Sequence, residues 1–235
     1  MASKEKVDRV STGIIGLDEM LFGGVPKKNQ ILIHGDAGTG KTLLTFEIAY
    51  RNAKIDIPTT YVSLEETKDD LISNVKSAYT TFDDVDELIS NNILQIVEIE
   101  ALDVFKSREN WETFIVKINK LVKANQSEVL ILDSLTTLRP LAEDDRTFTR
   151  YVNSMIENFK NLGITTFVTL EYSNMSTENS GLYGTFMFDG LVRLTTVSTE
   201  GSFQYLLTVV KMRKSNHRNS AAPYEITPKG FNIFK

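Results

Sequence analysis

Short apolar runs alternate with amphipathic stretches along most of the chain. Ile31–His34, Thr59–Leu64, Ile93–Ile99, Val129–Asp133 and Ile164–Leu170 are brief and rich in β-branched and aromatic residues, with few charges, as strands buried on both faces are. Between them the period lengthens to that of a helix. Trp111, Phe114, Ile115, Ile118, Leu121 and Val122 recur at three- and four-residue steps, as do Phe148, Val152, Met155, Ile156, Phe159 and Leu162. These stripes, Trp111 included, predict core-facing helices. Alternation of this kind predicts an α/β fold, a mostly parallel sheet covered by helices on both faces. After residue 185 the pattern changes. Leu191–Val197 and Phe203–Lys211 flank the turn-rich Ser198–Ser202, and Tyr224–Thr227 and Phe231–Phe234 flank Pro228-Lys229-Gly230. Both predict antiparallel hairpins, so the parallel core is expected to carry a C-terminal antiparallel extension.

Composition narrows this picture. The chain has 235 residues, 41% hydrophobic and 24% charged, in the range of a globular domain with a sizeable core. No linker, repeat or low-complexity segment divides it, so residues 9–235 are expected to form a single domain behind a polar, flexible tail, 1–8. No apolar run reaches 18 residues, and the N-terminus lacks the apolar centre of a signal peptide, so no membrane span and a cytoplasmic location are expected. The chain has no cysteine, which excludes disulfides and thiolate metal sites. A net charge of −5 weighs against constitutive nucleic-acid binding, which depends on phosphate neutralisation. The best local basic patch is Lys211-Met212-Arg213-Lys214 with His217 and Arg218.

The strand at Ile31 runs directly into Gly35-Asp36-Ala37-Gly38-Thr39-Gly40-Lys41-Thr42, and a helical pattern follows. This is G-x-x-x-x-G-K-[ST] in the strand-to-helix context that the motif requires. Its glycines let backbone N–H groups wrap a phosphate at a helix N-terminus, the lysine meets the β- and γ-phosphates, and the threonine hydroxyl binds Mg²⁺. Asp36, Ala37, Gly38, Thr39, Gly40 and Lys41, with Thr42 and Leu43 opening the helix, are therefore the candidate nucleotide-binding set. The expected ligands are a nucleoside triphosphate, ATP, and Mg²⁺. Val129–Asp133 ends in a carboxylate at the sheet edge where open α/β folds bind ligands, which makes Asp133 the candidate for ordering Mg²⁺ through water. Hydrolysis also needs a group that orients or deprotonates water. Glu65 and Glu66 follow the strand at Thr59 and are the candidates for it, with Glu66 also a candidate metal ligand. The residues after them suggest helix capping, with Thr67 as N-cap and Asp69 and Asp70 in the first turn. Glu171 ends a third strand on the same edge.

Taken together, these motifs resemble the KaiC-like branch of the RecA/RadA superfamily of P-loop NTPases. The N-terminal signature is Arg9-Val-Ser-Thr-Gly-Ile-Ile-Gly-Leu-Asp18, with Gly23-Gly24-Val-Pro26 after it. The loop, Glu65-Glu66-Thr67 and the Asp133 strand follow in the family's order. Lys211-Met212-Arg213-Lys-Ser215-Asn216-His217 is similar to the family's K-x-R-x-x-x-H element. The resemblance implies a RecA-like core assembled into a homo-oligomeric ring, commonly a hexamer, with ATP between protomers. It implies catalytic roles for Glu65 and Glu66. It also implies that Lys211 and Arg213 reach the γ-phosphate of a neighbour's ATP, with Met212, Ser215, Asn216 and His217 lining the nucleotide.

The chain departs from the family in three respects. One such domain is present where clock members have two. Pro228 follows Ile226-Thr227 where an aspartate often stands. The phosphorylated Ser-Thr pair of clock members falls near Thr185-Phe186, which leaves only Thr185 for autokinase chemistry. Other readings are a RadA-type DNA-binding accessory, disfavoured by the acidic centre of Arg139–Arg146, and a regulatory ATP binder with little turnover, disfavoured by the intact glutamate pair. A kinase acting on other proteins and unidentified regulatory partners also remain open.

Overall fold

Each strand expected from the apolar runs is present, with ends within two residues of those expected. The computed structural model describes residues 7–99, 111–171, 186–199 and 201–234. The parallel core consists of β3 (Gln30–Gly35), β4 (Thr59–Ser63), β5 (Leu94–Glu98), β6 (Val129–Asp133), β7 (Thr165–Glu171) and β8 (Gly190–Thr199). Helices α2 (Lys41–Ala53), α3 (Lys68–Ala78), α4 (Val85–Ser90), α5 (Trp111–Ala124) and α6 (Asp145–Leu162) lie between them, with a 3-10 helix over Leu135–Leu141. The antiparallel strands β9 (Ser202–Met212), β10 (Ala222–Thr227) and β11 (Gly230–Ile233) complete one nine-stranded sheet in the order β11-β10-β9-β8-β3-β7-β6-β4-β5.

Side-chain alternation explains why the strand sequences look continuously apolar. In β3, Ile31 and Ile33 join the core on the α2, α3 and α4 side, whereas Leu32 joins the core under α5 and α6. Val129 and Ile131 of β6 divide from Leu130 and Leu132 in the same way. With both faces buried, apolar residues are favoured on both. Trp111 is 4% exposed and stacks on Tyr151 at 5.1 Å between ring centroids, so the stripes are core as expected. Among the described residues, no helix is long and apolar enough to cross a membrane.

The elements unread in the sequence include α4, the 3-10 helix and three short ones near the N-terminus, β1 (Arg9–Val10), α1 (Ile15–Met20) and β2 (Val25–Pro26), with β1 and β2 paired antiparallel. None is long enough to show a period. Asp18 holds this segment together, accepting from Ser11 Oγ at 2.5 Å, Thr12 Oγ1 and Thr12 N at 2.8 Å each, and Gly13 N at 3.2 Å. Gly13 has φ +74°, and a side chain there would run into Arg51, so the glycine of the N-terminal signature is required by packing. Asp8 O accepts from Lys27 N at 2.9 Å, tying the chain down just ahead of β1. Residues 1–6 of the expected tail lie outside the described residues. The first hairpin turn is also tighter than the expected Ser198–Ser202, because Thr199 pairs with Ser202.

Parallel register brings four strand ends to one edge. Gly35 pairs with Glu171, and Ser63 pairs with Asp133. The chain leaving β3, β4, β6 and β7 therefore converges on one place.

Candidate active site

The loop after β3 is closed by its own bonds. Asp36 O accepts from Lys41 Nζ at 2.8 Å and from Thr39 Oγ1 at 2.8 Å. Gly40 has φ +83° and is the N-cap of α2, so the helix begins at Lys41 with its free N–H groups facing the loop. In that first turn, Thr45 Oγ1 donates to Lys41 O at 3.0 Å, and Thr42 lies beside Lys41.

Carboxylates gather around Lys41. Burial pulls its ammonium pKa down, while Glu171, Asp133, Glu65 and Asp36, from four separate segments, pull it back up. The strand-end residues singled out in the sequence are thus within electrostatic range of one cation. Asp133 is 5% exposed, with Oδ2 accepting from Tyr61 OH at 2.6 Å and Oδ1 accepting from Thr169 Oγ1. Burial and the neighbouring Asp133 raise the Tyr61 phenol well above its ordinary range, so it remains a donor. A carboxylate held this way suits contact with a cation through water. Among the described residues no group of three or more His, Cys, Asp or Glu is arranged to hold a metal by itself. Phosphate-bound Mg²⁺ needs no such cage, because it takes one or two protein ligands and keeps its waters. Asp133, buried and within electrostatic range of Lys41, fits that demand as a ligand through water, and Thr42 opens the helix beside Lys41.

The adjacent glutamates part company, as neighbouring positions at a strand end do. Glu65 accepts from Ser134 Oγ and is among the charges acting on Lys41. Glu66 accepts from Asn74 Nδ2 of α3 at 3.0 Å. Thr67 caps α3, its hydroxyl accepting from Asp70 N at 3.1 Å, with Asp69 and Asp70 in the first turn as expected. Sequence reasoning missed Tyr61, Ser134 and Thr169, which hold the carboxylates. Each is a hydroxyl on a strand or just after one, and nothing in its local pattern marks its distant partner.

Lys211, Met212, Arg213, Ser215, Asn216 and His217 are not part of this cluster. Met212 pairs with Gly190, which pairs with Ile31, so this element sits at the start of β3 while the loop follows its end. The length of β3 separates them, about 17 Å at strand rise. Lys211 Nζ donates to Phe188 O at 2.8 Å and to Phe186 O at 3.1 Å. Arg213 donates to Phe186 O at 3.1 Å and to Asp189 Oδ1 at 3.4 Å. Asp189, 4% exposed, also pairs with Lys160 at 2.9 Å and accepts from Gln30 N at 3.1 Å, anchoring this end. Arg9 donates to Ser215 Oγ at 2.8 Å. Thr185 lies outside the described residues.

His34, the penultimate residue of β3, is 6% exposed. Its pKa is pushed down to about 4, first by burial and then by Arg193 and Lys41. The unfolded chain takes up this proton near pH 6.5 and the folded chain does not. Stability from His34 is therefore complete above pH 6.5 and is lost as pH falls towards 4, by on the order of 3 kcal/mol. Thermal melts at pH 7 and pH 4.5 should show a smaller drop for His34→Gln than for the wild type. Equal drops would mean that His34 titrates alike in both states.

Known proteins share this fold and family signature. The family described as "ATPase: KaiC" matches residues 10–235. A UPF0273 protein of Thermotoga maritima is 29% identical, covering 97% of this chain and 96% of its own. One from Methanopyrus kandleri is 28% identical, covering 97% and 92%. The circadian clock oscillator protein KaiC of Synechococcus elongatus is 28% identical across 98% of this chain, which spans 45% of that protein. The crystal structure of a KaiC-like protein from Pyrococcus horikoshii matches with a TM-score of 0.85 at 25% identity, covering 98% of this chain and 100% of that one.

Proposed function

The chain belongs to the KaiC family of ATPases, and from that premise we propose that it hydrolyses ATP at sites shared between neighbouring copies in a ring, in a regulatory role. The observation that carries this reading is the separation of the two halves of the chemistry. Carboxylates and Lys41 stand at one sheet edge, while Lys211 and Arg213 stand at the other, a strand length from their own loop. Cations placed there serve a neighbour's phosphate more readily than their own.

In this mechanism the backbone N–H groups of residues 36–43 and the Lys41 ammonium hold the β- and γ-phosphates. Glu65 takes the proton of the attacking water, and Arg213 and Lys211 of the adjacent copy stabilise charge developing on the transferred group. Ser215, Asn216 and His217 lie on the base or ribose side. The chemistry that Mg²⁺ supplies when bound is neutralisation of phosphate charge, with Thr42 and, through water, Asp133 holding it. A role on DNA is disfavoured, because Arg139 after β6 pairs with Asp145 at 2.5 Å and lies over the Phe148 ring. The test is ATP turnover on the same sample whose mass is measured with and without ATP. Turnover together with nucleotide-dependent growth in mass is expected, and a monomer that binds ATP without hydrolysing it would overturn the reading.

Replacing Glu65 and Glu66 together with Gln should leave ATP binding intact and cut turnover by on the order of 10². Because Glu65 acts on Lys41 and Glu66 is bonded to α3, most of the loss should appear in Glu65→Gln alone. Single-turnover rates of the two single variants check this. An undiminished rate in the double variant would leave the pair with only a structural role.

A further inference from the structure

The phosphate loop is gripped from behind by the C-terminal hairpin. Tyr224 of β10, 2% exposed, donates its hydroxyl to Thr39 O at 2.6 Å, across 185 residues of chain. Its ring is fixed in place, stacked on Phe231 at 5.2 Å and tilted against Tyr205 at 5.5 Å. The hairpin also presses on the next residue. A Cβ on Gly40 would lie 2.5 Å from Ile226 Cδ1 and 3.2 Å from Phe231 Cζ. Phe231 N in turn donates to Glu47 Oε2 of α2 at 2.7 Å, so the hairpin is bonded both to the loop and to the helix that the loop starts.

The carbonyl of Thr39 and the N–H of Gly40 belong to one planar trans peptide and point in opposite directions. Holding the oxygen towards the hairpin therefore aims the Gly40 N–H away from it, to the side on which the loop closes around an anion. The plane needs holding, because Gly40 at φ +83° has the rotational freedom of glycine. A flipped plane would turn an oxygen, not a donor, towards phosphate. Thr39 is also tied to Asp36 O, by its Oγ1 at 2.8 Å and its N–H at 3.4 Å, but neither of those bonds involves its carbonyl.

We propose that Tyr224 is a positioning residue for the phosphate site, locking the Thr39–Gly40 peptide with its N–H towards the nucleotide and so coupling the C-terminal hairpin to ATP affinity. The inference rests on the reading of this loop as the phosphate site. Tyr224→Phe keeps the ring and removes only the hydroxyl. Calorimetric titration of the full chain with ATP and with inorganic tripolyphosphate, beside thermal melts without ligand, tests it. Both dissociation constants should rise about fivefold to tenfold, the factor expected for one misplaced donor. Tyr205→Phe, which keeps the adjoining ring on β9 and removes a hydroxyl that does not bond Thr39 O, should leave both unchanged. Unchanged affinities in Tyr224→Phe, with or without a lower melting temperature, would overturn the proposal. Equal losses in both variants would do so too, since they would point to general packing of the hairpin. A wild-type protein that binds neither probe would instead sink the nucleotide reading itself, and the inference with it.

Discussion

Lys41→Ala is expected to raise the dissociation constant for ATP by on the order of 10³, as for removing one partner from a desolvated, hydrogen-bonded charge pair. The neighbours of Lys41 make the loss severe. Asp36, Glu65, Asp133 and Glu171 all act on this ammonium, and without it they would face a triphosphate as an uncompensated negative wall. The variant also loses the bond from Nζ to Asp36 O that closes the loop. The overall fold should survive, because the core clusters contain no part of this side chain. Calorimetry on a Lys41→Ala protein with an unchanged melting temperature checks this. Near wild-type affinity in such a protein would remove the loop from the nucleotide site.

What was legible in the sequence follows from how local each requirement is. A phosphate needs consecutive N–H groups from one loop, so Gly35–Thr42 carries its whole signature within eight residues. Asp133 and Glu65 were legible because a buried strand is an uncharged run whose first charged residue marks the ligand edge. The supports were not. Tyr61 and Thr169 reach Asp133 from neighbouring strands, and Tyr224 reaches Thr39 from the far end of the chain. A tyrosine in a strand looks the same whether its hydroxyl meets a buried strand-end carboxylate, a loop carbonyl or water. Asp189 was hidden for the same reason, because its bonds to Gln30, Lys160 and Arg213 exist only once β3 and β8 are side by side. The elements within 9–26 escaped because α1, six residues long, is too short to show its period, although Ile14, Leu17, Met20 and Leu21 bury into the core beside Asp18.

Arg213→Ala should lower turnover by on the order of 10³, the scale of a lost arginine finger, while changing ATP affinity far less. The reason for so unequal an effect is where the guanidinium stands. It is half-exposed, held by Phe186 O and the Asp189 carboxylate rather than by its own loop, and spaced from Lys211 so that both share Phe186 O. On the proposed reading, a cation held there meets charge that grows on a neighbour's phosphate in the transition state and contributes little to ground-state binding. Mixing then separates a neighbour's site from the protomer's own. Neither Arg213→Ala nor the Glu65→Gln/Glu66→Gln protein should turn over ATP at an appreciable rate alone. Co-assembled from monomers in equal amounts, they should regain activity, because about one interface in four of a head-to-tail ring joins an intact glutamate pair to an intact arginine. Native mass spectrometry establishes that the rings are mixed, and the rate is read on the same sample. Mixed rings without recovered activity would mean that Arg213 serves its own protomer, and the site would then have to be complete within one chain.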